Sequence, residues 1–291
     1  MKLFNISCAG VILASSLFLH SELSAQVLFE KDYPSNFDRT TRDVVQTPDG
    51  GYLLAGMTNN ANLLDCDLYV LKTDGMGNYV KETIFGGAKP DYAYSMVATH
   101  EGNYIIAGYT QSYGGGDYDM FVVKVNSNGD VLSSKDIGGS GNEEAREIIR
   151  GADNNYYIIG TSGLTGANSQ MMLVKIDADL NEKGSWTFGG SGKEFGLGLK
   201  QTSDGGFILA GQTMSKGNGK GDAYLVKIKS DMSVEWDVTY GGAQDDEAVG
   251  VVANDDGSYV FAMRDSSTTS DIDIKVYKLD ANGGMVWEKH F

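Results

Sequence analysis

Short apolar stretches separated by turn residues recur along the chain with a fixed spacing. Five similar segments begin with an aromatic residue, at Tyr52, Tyr104, Tyr156, Phe207 and Tyr259. A second series, the lysine that ends another apolar stretch, falls at Lys72, Lys124, Lys175, Lys227 and Lys278. Both series advance by 51 or 52 residues, so two independent markers indicate five tandem repeats.

Each repeat predicts four short β-strands. The first is apolar, as at Val44 and Val45, the second starts at the repeated aromatic residue, and the third ends at the repeated lysine. The fourth is of the type Val234–Tyr240. Asn-Gly and Asp-Gly pairs in the turns supply the positive φ that tight hairpins require. No sustained 3.6-residue apolar period is present, so we expect an all-β chain almost without helices.

The repeats favour a β-propeller of about five four-stranded blades. A sheet with two apolar faces cannot shield itself from water, whereas sheets arranged in a ring cover one another. A β-solenoid is the alternative, but its coils are usually shorter and it lacks hairpin turns. The fourth-strand pattern occurs six times, because it also appears at residues 27–33 and 285–291. The sequence therefore leaves open whether five blades close with a spare strand or the ring is strained or open.

Residues 1–25 are predicted to be a cleaved signal peptide. Lys2 precedes an apolar run, and small residues end it at Leu23-Ser24-Ala25. The alternative is a membrane anchor, but the run is shorter than the ~20 residues that span a bilayer. We expect residues 26–291 to form one propeller domain, without a membrane span, that is secreted or located in the periplasm or cell envelope. Its single cysteine, Cys66, cannot form an internal disulfide.

Composition excludes several classes of protein. The 23 basic and 39 acidic residues give a formal net charge of −16, which argues against a nucleic-acid partner because phosphate backbones are bound by clustered Lys and Arg. A hydrophobic content of 41% allows a buried core and excludes a disordered chain.

A resemblance to a known family is carried by three motifs of the fourth and fifth repeats, at residues 204–211, 222–227 and 240–248. They resemble the bacterial propeller repeat known as the seven-bladed β-propeller (SBBP) repeat, which is common in exported proteins of Bacteroidetes-type bacteria. The resemblance covers about residues 27–291 and implies a propeller fold and export. It implies no shared activity, and the five repeats here depart from the seven of the family.

Acidic residues recur at two places in the repeat. One set follows a pair of glycines and includes Asp91, Glu143, Glu194 and Asp246; the other precedes the third strand and includes Asp67, Asp119, Asp222 and Asp273. Carboxylate oxygens of this kind could bind Ca²⁺. Their repetition favours a scaffold role, namely pairing with the repeated lysines or accepting N–H groups of turns. We therefore expect no cofactor and no metal site, with Ca²⁺ as the alternative.

The candidate ligand site lies where the repeats differ from one another. On the innermost strand one aligned position holds Arg42, Tyr94, Arg146, Leu197 and Val249, and the next holds Asp43, Ser95, Glu147, Gly198 and Gly250. The first three repeats thus predict a polar patch near the propeller axis, suited to a sugar or an anionic ligand. The alternative is a solvated rim of weak ion pairs. Tyr113, in a long polar loop, is a further candidate for stacking on a sugar.

Three functions remain open. The first is an exported binding or interaction module for glycan or protein ligands. The second is a secreted polysaccharide hydrolase or lyase, which would need two carboxylates about 5–10 Å apart. The third is a purely structural envelope protein. We assign no catalytic residue, because the acidic residues occupy equivalent positions in several repeats, as structural residues do.

Overall fold

The computed structural model describes residues 30–33, 38–59, 66–164, 166, 168–266 and 273–291. These residues form five four-stranded antiparallel sheets, each built from four consecutive strands, and contain no α-helix. The prediction of an all-β chain with five four-stranded units is therefore confirmed. In this part of the chain no helix has the length and hydrophobicity of a membrane span. The predicted signal peptide, residues 1–25, lies outside the described residues.

The strands follow the sequence repeat. The first sheet contains β1 (Arg39–Gln46), β2 (Tyr52–Asn59), β3 (Cys66–Thr73) and β4 (Tyr79–Phe85). The second contains β5 (Asp91–Ala98), β6 (Tyr104–Thr110), β7 (Asp119–Val125) and β8 (Val131–Ile137). The third contains β9 (Glu144–Arg150), β10 (Tyr156–Ser162), β11 (Gln170–Ile176) and β12 (Glu182–Phe188). The fourth contains β13 (Glu194–Gln201), β14 (Phe207–Thr213), β15 (Asp222–Ile228) and β16 (Val234–Tyr240). The fifth contains β17 (Glu247–Ala253), β18 (Tyr259–Asp265), β19 (Asp273–Leu279) and β20 (Met285–His290).

The extra fourth-strand pattern at residues 27–33 does not form a strand where it is described. Residues 30–33 have no regular secondary structure, and residues 27–29 lie outside the described residues. The physical reason is pairing, because the third strand of every sheet already has a fourth strand beside it. The pattern at residues 285–291 does form β20, and the N–H of Phe291 donates to the Ile274 carbonyl at 2.9 Å.

Four hydrophobic cores hold the sheets together, and each lies between two successive sheets. The core between the first two sheets, for example, joins Leu53 and Leu68 to Met96 and Tyr104. Equivalent cores follow between the second and third, third and fourth, and fourth and fifth sheets. Among the described residues no such core joins the fifth sheet to the first. Both faces of each inner sheet are therefore covered by a neighbour, as the propeller prediction requires.

The repeated lysines form ion pairs with a turn of their own sheet, and those of the first, second and fourth sheets are buried. Lys227 is 2% exposed, and its Nζ lies 2.7 Å from Asp204 in the turn between the first two strands. Lys72 pairs in the same way with Asp49, at 2.9 Å. The lysines thus use neither of the two acidic sets that the sequence suggested as their partners. The hypothesis of pairing with those sets was wrong because the third strand ends beside the first turn of its own sheet, at the end opposite to them.

Candidate ligand-binding site

A β-bulge in every innermost strand determines which side chains leave the sheet. In the second sheet Ala93 pairs with Gly108 and Ser95 with Ala107, so Tyr94 is an extra residue without a partner across the ladder. The same shift of register leaves Arg42, Arg146, Leu197 and Val249 as the extra residues of their sheets. A bulge bends its strand and redirects the side chain of the extra residue. The aligned position that the sequence singled out is therefore the position of the bulge.

In four of the five sheets a glycine on the neighbouring strand stands beside the bulge, and in the fifth sheet Met263 holds that position. A Cβ placed on Gly108 would overlap the backbone carbonyl oxygen of Tyr92, which precedes the bulge. Gly56, Gly160 and Gly211 stand against the equivalent carbonyls of their own sheets. The Ala-Gly ending of the repeated segment is thus explained by the close approach of two backbones.

Arg42, Tyr94 and Arg146 form one stacked group across the first three sheets. The guanidinium of Arg146 lies 4.5 Å from the centre of the Tyr94 ring, and that of Arg42 lies 5.7 Å from it. Both distances are within the range of cation–π attraction. Arg146 also pairs with the buried carboxylate of Glu144 at 2.8 Å. Arg42 is exposed and makes no ion pair with any other described residue. The structure therefore brings together three of the six residues selected from the sequence.

Three further tyrosines, which the sequence did not single out, extend this group. Tyr109 lies 6.0 Å from Tyr94, 4.6 Å from Tyr92 and 5.3 Å from Tyr118, measured between ring centres. All four rings are half-buried. Burial raises the pKa of Tyr94, although the neighbouring arginines oppose the rise. Burial also raises the pKa of Tyr92 to about 12.

Asp43 and Glu147 join neighbouring sheets and do not point their oxygens into open space. Asp43 Oδ2 accepts the N–H of Met96 at 2.7 Å, and Glu147 Oε2 accepts the N–H of Leu199 at 2.8 Å. The hydroxyl of Ser95 has the same role, accepting the N–H of Ile148 at 3.3 Å. Each of these side chains therefore bridges one innermost strand to the next. We interpret the two carboxylates as scaffold groups that hold the bulges in register.

Tyr113 lies apart from the tyrosine–arginine cluster, the group formed by Arg42, Arg146 and the tyrosines at 92, 94, 109 and 118. Its ring stacks on Phe121 with 5.5 Å between centres, and its hydroxyl donates to the Gly86 carbonyl at 3.0 Å. No ring contact links Tyr113 to Tyr94 within the described part of the chain. With 39% of its surface exposed, Tyr113 is a partly fixed aromatic residue at the junction of the first two sheets.

The repeated acidic residues accept hydrogen bonds from turns. Asp91 accepts the N–H of Gly87 at 2.7 Å, and Asp246 accepts that of Gly242 at 2.7 Å. Asp222 accepts the N–H of Gly219 at 3.0 Å. Within the described residues no three His, Cys, Asp or Glu side chains are grouped as metal ligands. The acidic residues considered for Ca²⁺ are thus engaged with backbone groups, and a calcium titration tests that alternative.

At the junction of the second and third sheets, two acidic residues each keep one buried oxygen without a hydrogen-bond partner. Asp119 Oδ1 and Glu143 Oε2 are buried, lack a hydrogen-bond partner and lie against Gly138. Burial raises the pKa of Glu143, and the charge of Asp119 adds to the rise, while N–H groups of Gly139 and Gly163 oppose it. In the third sheet Gln170 occupies the position of Asp119, and its amide donates to Glu194 at 2.9 Å. At the junction of the third and fourth sheets the chain thus has an amide in place of one of the two carboxylates.

Asp119→Asn is expected to stabilise the protein by about 1 kcal/mol at pH 7, because the new amide can donate to Glu143. The folded pKa of Glu143 lies above its unfolded value, so proton uptake favours the folded parent as the pH falls. The advantage of the variant should therefore shrink towards pH 4. Urea denaturation at both pH values measures it. The control is Asp117→Asn on the exposed loop, and an equal gain there would assign the effect to net charge.

The comparisons with known proteins concern the fold. No family model and no curated protein matches the chain. A protein of unknown function from Dyadobacter fermentans has a TM-score of 0.57 at 12% identity, over 88% of this chain and 83% of its own. An ulvan lyase with a bound GlcA–Rha3S saccharide has a TM-score of 0.59 at 10% identity, over 91% of this chain and 72% of its own. A neuraminidase-like protein from a little yellow-shouldered bat isolate has a TM-score of 0.54 at 10% identity, over 88% and 82%.

At these identities the likeness concerns the chain trace and not the site. Combined with five successive four-stranded sheets that pack face to face, it defines the class of the protein. The fold is of the β-propeller type with repeating blades.

Proposed function

We propose that this protein is an exported carbohydrate-binding β-propeller, and that its ligand is an acidic saccharide. The observation that carries the proposal is the stacking of Arg42 and Arg146 on Tyr94, next to three more half-buried tyrosines. Arg42, Tyr94 and Arg146 are the extra residues of bulges in the innermost strands, and the bulges direct their side chains out of the sheets. The proposal includes export by the signal peptide at residues 1–25 and membership of the SBBP-type repeat proteins that the sequence resembles.

The chemistry of the cluster suits a charged sugar. Tyrosine combines an apolar ring face, which can cover the C–H groups of a sugar ring, with a hydroxyl that exchanges hydrogen bonds with sugar hydroxyls. A guanidinium binds a carboxylate or sulfate through paired N–H donors. Arg42 has this capacity to spare, because it is exposed and lacks an acidic partner among the described residues. The protein has a net charge of −16, and the two arginines on the Tyr94 ring form a basic site on this acidic protein.

The nearby carboxylates favour binding over catalysis, because hydrogen bonds or an ion pair already engage them. A glycosidase requires two available carboxyl groups, one of which acts as a proton donor. Asp43 and Glu147 bind N–H groups of the next sheet, and Glu144 is paired with Arg146. Solved proteins of similar fold include an ulvan lyase and a neuraminidase-like protein, which supports a glycan as the ligand without assigning a reaction to this chain.

The proposed function is tested by calorimetric titration with acidic and neutral oligosaccharides of matched length. Tyr94→Ala is expected to weaken binding of every ligand about tenfold, because the central ring of the cluster is lost. Arg42→Gln is expected to weaken the binding of acidic ligands about tenfold and to leave the binding of neutral ligands almost unchanged. Only the acidic ligands bind the guanidinium through paired N–H donors.

The matched control is Tyr113→Ala, which removes a tyrosine outside the cluster and should leave affinity unchanged. Absence of binding to every acidic saccharide, or equal losses from Tyr113→Ala and Tyr94→Ala, would contradict the proposed site.

A further inference from the structure

The first and last sheets each have one apolar face on the outside of the stack. Among the described residues, none packs on these two faces in the way that neighbouring sheets pack on the inner faces. We call Val44 and Leu54 of the first sheet the head face. We call Val260, Ala262, Ile274 and Val276 of the fifth sheet the tail face. In the inner sheets the residues equivalent to the head face pack against the preceding sheet, and those equivalent to the tail face pack against the following sheet.

The exposure of these faces can be compared with that of the same positions in the other sheets. The counterparts of Val44 in the other sheets are at most 5% exposed, whereas Val44 itself is 42% exposed; they are Met96, Ile148, Leu199 and Val251. The counterparts of Ile274 are at most 1% exposed, whereas Ile274 is 56% exposed; they are Leu68, Met120, Met171 and Ala223. The same positions are therefore core in four sheets and surface at the two ends. Exposed apolar patches of this kind mark interaction surfaces.

The N-terminal segment already occupies part of the place of a preceding sheet. At the junction of the fourth and fifth sheets Tyr240, which ends the fourth strand β16, donates its hydroxyl to the Gly283 carbonyl at 2.8 Å. Tyr33 holds the matching position in the fourth-strand pattern and donates to the Gly77 carbonyl at 2.7 Å. Lys31 adds a hydrogen bond to Asn78 in the same turn, at 3.0 Å. Residues 30–33 thus contact the first sheet as the end of a fourth strand would.

We propose that the head and tail faces together receive one partner, a three-stranded antiparallel sheet of this same repeat type. Its rear face would cover the tail face, and its forward face would cover the head face, as inner sheets do on both sides. The chain's own N-terminal segment would supply the fourth strand of that sheet. The partner therefore needs three strands, since the contact with the turn at Gly77 is already made.

A second copy of the chain fits less well. Its fifth sheet would present the tail face to the head face, but it carries its own fourth strand, β20 (Met285–His290). That strand would meet the turn at Gly77 where Tyr33 is bound. A three-stranded partner avoids this overlap.

The test extends the full chain after Phe291 with an extra repeat. One version adds a copy of residues 241–279, which hold three strands, and the other adds a copy of 241–291, which hold four. We expect the three-stranded extension to raise the Tm by at least about 5 °C and the four-stranded one to raise it less. Calorimetry measures the Tm, and sedimentation velocity shows whether each protein remains a monomer.

Val44→Asp links the gain to the head face. It should have little effect in the parent chain, where Val44 is 42% exposed, and should abolish most of the gain in the three-stranded version. Leu132→Asp, at a position on β8 that is 51% exposed, is the matched control and should leave the gain intact.

Each opposite result would overturn the proposal. Equal gains from both extensions would show that residues 30–33 do not act as the fourth strand. Self-association of the parent that Val44→Asp abolishes would make a second copy the occupant. Equal destabilisation of parent and extended chain by Val44→Asp would show that the head face is already covered within the parent.

Discussion

Gly108→Ala is expected to destabilise the protein by about 3 kcal/mol, at the upper end of the cost of overpacking. The added methyl group would overlap the carbonyl oxygen of Tyr92, which is backbone and cannot rotate away. Relief requires the two strands to separate at the bulge that carries Tyr94. The variant should therefore also lose saccharide affinity, because Tyr94 would no longer stack on Arg146. Urea denaturation followed by circular dichroism measures the stability, and titration measures the affinity.

The matched control is Gly250→Ala, also in a strand. No atom lies within 4 Å of a Cβ placed on Gly250, so the change in stability should be small. In the fifth sheet Met263 stands where Gly108 stands in the second, so a bulge can accommodate a side chain when the two strands are spaced for it. If Gly108→Ala proved as harmless as Gly250→Ala, the bulge would be more adaptable than its geometry indicates.

The number and order of the strands followed from the sequence because the repeat imposes them. Two markers per repeat, the aromatic start of the second strand and the lysine that ends the third, are enough to place the intervening turns. β16 (Val234–Tyr240) has the predicted bounds. Closure did not follow, because it depends on whether the last sheet meets the first. The side-chain pattern of Val44 or Ile274 is the same at a covered and at an uncovered junction.

Only part of the candidate cluster could be predicted from the sequence, because the bulge shifts the register of the innermost strand. A regular ladder continued from the pair Ala98 and Tyr104 would place Thr110 opposite Tyr92, whereas the bulge places Tyr109 there. A shift of one residue reverses which side chains share a face. Tyr109 could therefore not be assigned to the cluster from spacing alone. In the same way, the sequence could not show that Asp43 and Glu147 accept hydrogen bonds from N–H groups of the next sheet.

The buried lysine of the fourth sheet gives a prediction that depends on pH. Burial alone raises the pKa of Asp204, but hydrogen bonds from Lys227, Thr202 and the N–H of Gly206 outweigh it and lower the pKa to about 2. The folded pKa thus lies below the unfolded one. The stabilisation is present above about pH 4 and is lost as the pH falls towards 2.

Asp204→Ala is expected to cost about 2 kcal/mol at pH 7, because the Lys227 ammonium, 2% exposed, would lose its nearest carboxylate and keep Glu235, at 3.4 Å, as its remaining acidic partner. The figure is below the cost typical of breaking a buried pair because Asp204 is itself 55% exposed and screened by solvent. Adding Lys227→Met should recover most of the loss, since an apolar side chain of similar length replaces the buried ammonium.

The fifth sheet supplies the control. Lys278 is 30% exposed and lies 3.8 Å from Asp256, so Asp256→Ala should have a much smaller effect. Equal losses at the two sheets, or a failure of Lys227→Met to rescue, would mean that burial of the ammonium does not determine the cost. Urea denaturation from pH 7 to pH 2 measures both the loss and its decrease in acid, as Asp204 of the parent becomes protonated.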